Sequence, residues 1–109
     1  IHVVDLARAH VFAIKRLLEK KNLSSPEVFN IGTGKGASVL EVVKAFEEVS
    51  GVKLNYVFKE RRPGDVVCAF ADTSKAKKFL GWKSELCLKD ALASAWDWEK
   101  KLNLKKKII

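Results

Sequence analysis

The sequence has no methionine, two cysteines, two prolines and one tyrosine among its 109 residues. Because translation begins at methionine, we expect the sequence to be a piece of a longer protein. With so few cysteines and no secretory signal in view, Cys68 and Cys87 are predicted to be buried thiols of a cytoplasmic protein rather than a disulfide. Their spacing relative to His2 and His10 fits no standard zinc motif, so we predict no metal site.

Long apolar runs are also missing. No segment approaches the roughly 20 apolar residues that a membrane-spanning helix requires, so we expect no membrane partner.

Positive charge is abundant, because 21 basic and 13 acidic side chains give a net charge of +8. Such a charge favours anionic partners in general. No aromatic residue is interleaved with the lysines to stack on a base, so we expect no nucleic acid partner. A small basic nucleic-acid or protein interaction module is the alternative of a different class.

Hydrophobic periodicity and capping signals divide the chain into helices and short strands. Apolar residues recur at helical spacing over Val3–Leu18, and His10 falls on that stripe, which predicts a packed, hydrogen-bonded core histidine. Ser38 and Glu41 form a capping-box pattern at the start of a second helix. The predicted elements are helices over 3–18, 39–49, 72–80 and 88–102 and strands over 28–31 and 54–58.

The last third of the chain holds all three tryptophans. Trp96 and Trp98 lie on the last predicted helix, and Trp82 precedes it. Two of the three therefore sit on an amphipathic helix, which favours packing over a role as a sugar-binding platform. Residues 103–109 do not continue the apolar stripe of the last predicted helix, so we expect this tail to be frayed.

A glycine-rich loop follows the first predicted strand. Residues 32–37 read Gly-Thr-Gly-Lys-Gly-Ala, which satisfies the dinucleotide-binding pattern G-x-G-x-x-A between a strand and a helix. However, a helix precedes that strand, so this is not the opening turn of such a fold, and strand 54–58 lacks an acid at the expected distance of about 20 residues. We therefore interpret the loop as a tight turn and predict no cofactor-binding residue in this chain.

The segment most informative about function is Arg61-Arg62-Pro63-Gly64-Asp65. Two adjacent guanidiniums can form bidentate hydrogen bonds with diphosphate oxygens, and the proline and glycine turn the chain sharply. Asp65 can accept hydrogen bonds from hydroxyl groups. This combination suits a nucleotide sugar, and the alternative is a surface turn with two solvated arginines.

Several motifs occur together in a family-like order. Each is weak alone, but the ordered set resembles the C-terminal part of UDP-glucose 4-epimerases, in the extended short-chain dehydrogenase/reductase family, over residues 1 to about 102. The motifs are Ile1–His10, 28–34, 38–43, the arginine turn with Ala71–Ala76 and Leu80–Trp82, and Ala95–Glu99.

The resemblance implies an α/β fold class, namely an α+β fragment. Residues 1–36 would be the terminal helix–strand unit of a Rossmann-like cofactor-binding domain, 37–102 a small mixed substrate-binding domain and 103–109 a basic tail. The implied enzyme is an NAD-dependent isomerase of galactose and carbohydrate metabolism that acts on a UDP-hexose. NAD would be bound by a missing upstream Rossmann domain, and the parent enzyme would be a cytoplasmic homodimer. Another nucleotide-sugar epimerase or dehydratase is the alternative.

The resemblance also implies roles for single residues. Arg62 resembles the family arginine that contacts the substrate diphosphate, and Asp65 resembles the acid that holds the uridine ribose hydroxyls. Arg61 would be an outer phosphate neighbour. Ala69 stands where some epimerases carry a bulky residue against the sugar ring, so its small side chain would leave room for an N-acetyl group.

No catalytic residue is predicted in this chain. The family base motif Tyr-x-x-x-Lys would require lysine four residues after Tyr56, the sole tyrosine, and Glu60 stands there instead. We therefore expect the fragment alone to be inactive and its role to be substrate binding.

Overall fold

The computed structural model describes the backbone of residues 1–108 and the side chains of residues 1–107. Contacts group the chain into two compact units, one formed by residues 1–36 and 69–87 and the other by residues 37–68 and those from Leu88 onward. The first unit contains α1 and the short π-helical α3, and the second contains α2 and α4. These helices span Val3–Leu18 (α1), Val39–Ser50 (α2), Ala76–Leu80 (α3) and Leu88–Ile108 (α4).

The first unit is built around the apolar stripe of α1, which begins and ends where the sequence predicts. His2 is the N-cap, and its Nδ1 accepts a hydrogen bond from the N–H of Val4 at 3.0 Å, which satisfies one of the amides left unpaired at a helix start. Ala9 on α1, Ala76 on α3 and Trp82 form the buried core of the unit. Partly buried residues pack around this core: Phe12, Phe29, Ile31 and Leu80.

A buried carboxylate attaches the segment after α3 to α1. Asp5 is 1% exposed, and its Oδ2 accepts the N–H groups of Glu85 and Leu86 at 3.0 and 2.9 Å. Arg8 donates to Oδ1 at 3.0 Å, and the indole N–H of Trp82 donates to the Asp5 carbonyl at 3.0 Å. Burial opposes the charged form, but the Leu86 and Glu85 amides and the Arg8 guanidinium outweigh it, so the pKa of Asp5 lies below its ordinary 3.8.

The second unit pairs α2 with α4. Ser38 and Glu41 form the predicted capping box, because the Ser38 hydroxyl accepts the Glu41 N–H at 3.1 Å and the Glu41 carboxylate accepts the Ser38 N–H at 2.7 Å. Gly51 ends α2 with φ of 69°, in the left-handed region that glycine adopts without strain. Phe46 of α2 meets Trp96 of α4 edge to face, with ring centroids 5.4 Å apart.

The predicted fold class is wrong. Within residues 1–108 the structure is helical and contains no β-strand, so it is not an α/β or α+β unit with a sheet strand. Segments 28–31 and 54–58 are non-helical, but a strand exists only through ladder hydrogen bonds to a neighbouring strand. The described residues give neither segment such a partner. β-branched and aromatic composition indicates a preference for extended backbone and cannot report whether a pairing partner is present.

The predicted frayed tail is also wrong as far as residue 108. α4 continues through Ile108, and Ile109 lies outside the described residues. Leucine and lysine are strong helix formers, and Lys105, Lys106 and Lys107 lie in the last turn, where cations interact favourably with the helix dipole. A segment without an apolar stripe therefore extends the helix.

Burial was mispredicted at four side chains. Cys68 and Cys87 are exposed thiols rather than buried ones. His10 makes a hydrogen-bonding contact, with Nδ1 2.8 Å from the Leu6 carbonyl oxygen, but it is exposed. Trp98 is 59% exposed, so α4 uses Trp96 for the aromatic contact with α2. Helical spacing identifies an apolar stripe but not which part of it another element covers.

No helix among residues 1–108 combines the length and apolar character of a membrane span. Likewise, the part of the chain that the structure describes contains no group of three potential metal ligands. The division of the sequence into parts 1–36, 37–102 and 103–109 of a longer enzyme stays a prediction.

Candidate functional site

The arginine motif forms a tight turn in the second unit. The N–H of Asp65 donates to the carbonyl of Arg62 at 3.2 Å, which closes a four-residue β-turn around Pro63 and Gly64. Gly64 has φ of 86°, as the third position of a type II turn requires, and proline presets the backbone at the position before it. These residue types therefore determine the turn locally.

The turn brings the side chains of Arg62 and Asp65 together. Arg62 Nε donates to Asp65 Oδ2 at 3.2 Å, and the two side chains are 85% and 41% exposed. An exposed ion pair of this kind contributes only about 0 to 1 kcal/mol to folding stability. The two terminal amines of Arg62 donate to no acceptor among residues 1–107. They are therefore available to an anion.

Exposed apolar side chains border this turn. Phe58 precedes it, and Val66 and Val67 follow it directly. The surface formed by Phe58, Lys59 and Glu60, which lie next to the turn in the chain, is open to solvent. The chain on either side of the turn thus carries exposed apolar side chains.

The other two predicted substrate-binding residues are also exposed. Arg61 directly precedes Arg62 in the second unit, whereas Ala69 belongs to the first unit. The structure therefore brings together Arg62 and Asp65 and places Ala69 in a different unit. The substrate-binding roles of all four residues stay predictions.

The glycine loop packs against its own chain. A Cβ added to Gly32 would lie 2.9 Å from the Cβ of Ala71, closer than two such atoms approach. Gly34 has φ of 74° and faces the hydroxyl of the buried Thr73. These contacts account for glycine at both positions without a ligand. That the loop binds no cofactor stays a prediction.

A buried ion pair in the first unit was missed from the sequence. Arg16 donates through Nε and Nη2 to the two carboxylate oxygens of Glu27 at 2.7 and 3.0 Å, and through Nη1 to the Phe79 carbonyl at 3.2 Å. The Leu23 N–H also donates to Glu27 at 2.7 Å. The Arg16 and Leu23 hydrogen bonds lower the pKa of Glu27 from 4.5 to about 2. Since every polar atom is paired, this cluster is structural.

Comparison with known proteins shows which enzymes the chain is similar to. No protein-family model matches it. The UDP-glucose 4-epimerase of Bacillus subtilis (strain 168) is 50% identical over 99 residues, which cover 91% of this chain and 28% of that protein. The UDP-glucose 4-epimerase 1 of Oryza sativa subsp. japonica is 48% identical over 101 residues, which cover 93% and 28%. This chain corresponds to the C-terminal part of UDP-glucose 4-epimerases.

Solved UDP-glucose 4-epimerase structures match at the level of the backbone. The Stenotrophomonas maltophila enzyme, with bound NAD and formylated UDP-arabinopyranose, has a TM-score of 0.89 at 39% identity over 96% of this chain and 30% of that one. The Bifidobacterium longum enzyme, in complex with NAD+ and UDP, has a TM-score of 0.78 at 48% identity over 93% and 29%. The chain spans about 28% of the length of the curated relatives it matches.

The family resemblance predicted from the ordered motifs is therefore confirmed, as is the match to part of an isomerase. Arg62 and Asp65 could be singled out from the sequence because one short turn contains them both, and their binding roles stay predictions. The Arg16–Glu27 pair was missed because its residues lie 11 positions apart across a helix end. The one available signal was Arg16 itself, a charge beside the apolar stripe of α1.

Proposed function

We propose that this chain is the substrate-binding C-terminal segment of an NAD-dependent UDP-glucose 4-epimerase, and that the turn Arg62–Asp65 grips the UDP moiety. One geometric observation carries the second claim: the turn fixes a carboxylate against Nε of Arg62 and leaves both terminal amines of the guanidinium unpaired. The similarity to UDP-glucose 4-epimerases supports the reaction class, and the UDP complex of the Bifidobacterium longum enzyme supports the ligand class.

The terminal amines of Arg62 match a diphosphate in their donor geometry. The planar guanidinium of Arg62 presents two parallel N–H donors that fit two phosphate oxygens, and each charged hydrogen bond contributes about 1.5 to 3 kcal/mol. The net charge of +8 favours the approach of an anionic substrate. Holding the substrate by its nucleotide leaves the hexose free to present either face to a hydride carrier, which inversion at one carbon requires.

Hydride and proton transfer are not assigned to this chain. NAD, when bound, supplies the hydride acceptor for oxidation of the sugar, and we propose that the missing upstream part of the enzyme holds it. Tyr56 lies in a non-helical segment and lacks a lysine four residues later, so it does not match the base motif. The proposed contribution of the chain is binding and orientation.

The test is a hybrid enzyme. The matching segment of the Bacillus subtilis UDP-glucose 4-epimerase is replaced by this chain, and turnover of UDP-galactose is measured for the hybrid and its Arg62→Ala variant. We expect an active hybrid, and a KM for UDP-galactose raised about tenfold or more by Arg62→Ala, because one charged contact to the diphosphate is lost.

The matched control is Lys53→Ala, which removes an exposed positive charge from the same unit. It should leave KM within about twofold of the unsubstituted hybrid, since Lys53 lies outside the turn and an exposed charge is screened by salt. An active hybrid whose KM is the same with and without Arg62 would refute the grip. A folded hybrid that retains NAD but has no activity would refute the assignment to this enzyme.

Ala69 is proposed to set the size of sugar that the enzyme accepts. Its exposed methyl side chain occupies little space, so the hybrid should turn over UDP-N-acetylglucosamine as well as UDP-glucose. Ala69→Tyr should lower kcat/KM for the N-acetylated substrate about tenfold or more while changing the value for UDP-glucose much less, because the added ring overlaps only with the larger substrate. Equal values for both substrates in both proteins would contradict this role.

The proposal includes a cytoplasmic location and a homodimeric parent enzyme, which the family resemblance implies. Native mass spectrometry of the hybrid measures the second point directly. A monomer at micromolar concentration would contradict it.

A further inference from the structure

The way in which Arg62 and Asp65 pair has a consequence for ligand binding. The carboxylate accepts from Nε of Arg62, at the base of the guanidinium, and not from its two terminal amines. We propose that Asp65 is a positioning residue that acts through Arg62. It holds the Nε edge so that the opposite edge, with both terminal amines, faces the diphosphate. This inference rests on the proposed function, because it concerns the same ligand.

The backbone supports this arrangement. The Asp65 N–H donates to the Arg62 carbonyl at 3.2 Å. This bond closes the turn and holds the two residues close to each other. Pro63 fixes its own φ, and Gly64 adopts the φ of 86° that the turn requires without strain. The carboxylate is therefore presented to Arg62 by a turn that a backbone hydrogen bond closes.

Orientation matters here because Arg62 is otherwise unrestrained. Its side chain is 85% exposed, and a long exposed side chain loses rotamer freedom when it binds a ligand. A carboxylate that already fixes Nε removes part of that loss before the diphosphate arrives. The ion pair adds little to folding stability at such exposure, so its effect should appear in ligand affinity.

The family resemblance gives Asp65 a different task, namely to hold ribose hydroxyls. The two roles predict different ligand dependence. A residue that binds ribose affects uridine and leaves inorganic pyrophosphate unchanged. A residue that orients Arg62 affects pyrophosphate, and its effect disappears when Arg62 is absent.

The test uses the full 109-residue chain in NMR titrations with UDP, inorganic pyrophosphate and uridine. The Arg62 Nε–H resonance reports directly on the hydrogen bond to Asp65. The variants are Asp65→Ala, Asp65→Asn, Arg62→Ala and the double variant Arg62→Ala/Asp65→Ala. Asp97→Ala is the matched control, because Asp97 also forms an exposed ion pair, with Lys100 three residues away in the same unit.

We expect Asp65→Ala to shift the Arg62 Nε–H signal and to weaken pyrophosphate binding about three- to tenfold, which corresponds to the cost of ordering one side chain. Asp65→Asn keeps an acceptor oxygen, so its pyrophosphate affinity should lie between those of the unsubstituted chain and Asp65→Ala. In the Arg62→Ala background, Asp65→Ala should have no further effect. Asp97→Ala should leave both the signal and the affinity unchanged.

Two results overturn the positioning role while leaving the grip intact. One is full additivity of the two substitutions, and the other is an Asp65→Ala effect confined to UDP and uridine. If Arg62→Ala leaves pyrophosphate and UDP binding unchanged, or if the chain binds neither, then the proposed function fails and this inference fails with it.

Discussion

Arg16 and Glu27 link three parts of the first unit: α1, the segment that follows it and the end of α3. The side chains are 9% and 10% exposed, and both carboxylate oxygens and all three guanidinium nitrogens have partners. Removing one member of such a pair leaves a buried charge without compensation. The pair should therefore make the stability of this unit depend on pH.

Glu27 is expected to stabilise the fold at neutral pH. Its pKa is lowered from 4.5 to about 2, mainly by the Arg16 hydrogen bond. Because the folded form binds the proton less tightly than the unfolded form, this stabilisation is complete above about pH 4.5 and is lost as pH falls towards 2. Glu27→Gln should lower the melting temperature at pH 7 and reduce its fall between pH 4.5 and 2, as measured by circular dichroism.

Glu48→Gln provides the comparison, because Glu48 is 61% exposed in its pair with Lys89. Its melting temperature should follow that of the unsubstituted chain at every pH. Asp5 also has a lowered pKa, so some pH dependence should remain in Glu27→Gln. Identical pH profiles for Glu27→Gln and the unsubstituted chain would show that the ion pair does not contribute.

Local and non-local residue contacts differ in how far the sequence predicts them. The Arg62–Asp65 contact could be anticipated because proline and glycine fix a four-residue turn. The Asp5 and Glu27 contacts could not, because Asp5 meets amides some 80 residues away and Glu27 meets Arg16 across a helix end. Charge and spacing within one element carry no information about such partners.

At the scale of elements, the glycine loop packs closely against the side chain of Ala71 in the segment before α3. Gly32→Ala should destabilise the chain by about 1 to 3 kcal/mol, because the new Cβ would lie 2.9 Å from the Cβ of Ala71, which cannot rotate away. Urea denaturation measures this loss. The double variant Gly32→Ala/Ala71→Gly removes the overlap and should recover most of the stability. A neutral Gly32→Ala would refute the packing role of this glycine.

The boundaries of α1 and α2 and the end of α3 were predictable because their signals are local, whereas α3 begins at Ala76 and not at the predicted residue 72. The Ser38–Glu41 capping box, the left-handed glycines at 51 and 81 and the stripe of α1 all act within a few residues. The strands at 28–31 and 54–58 were not, because a strand needs a second strand as its partner. α4 extends beyond its predicted end because lysine favours a helix even without an apolar stripe.

At the scale of the whole molecule, composition and motif order indicate different things. The net charge of +8 indicates an anionic partner without choosing among several. The ordered motifs identify the similarity to UDP-glucose 4-epimerases, which the relatives at 50% and 48% identity confirm. Neither composition nor motif order reports how Arg62 presents its donors, which only the geometry of the turn describes.

The most direct measurement is the dissociation constant of UDP from the hybrid enzyme, with Arg62 unchanged and as Arg62→Lys, by isothermal titration calorimetry. Lysine keeps the positive charge but lacks the planar fork that binds two oxygens and the Nε that pairs with Asp65. We predict that Arg62→Lys weakens UDP binding about tenfold, since one charged hydrogen bond is lost. An unchanged dissociation constant would contradict a guanidinium grip on the diphosphate.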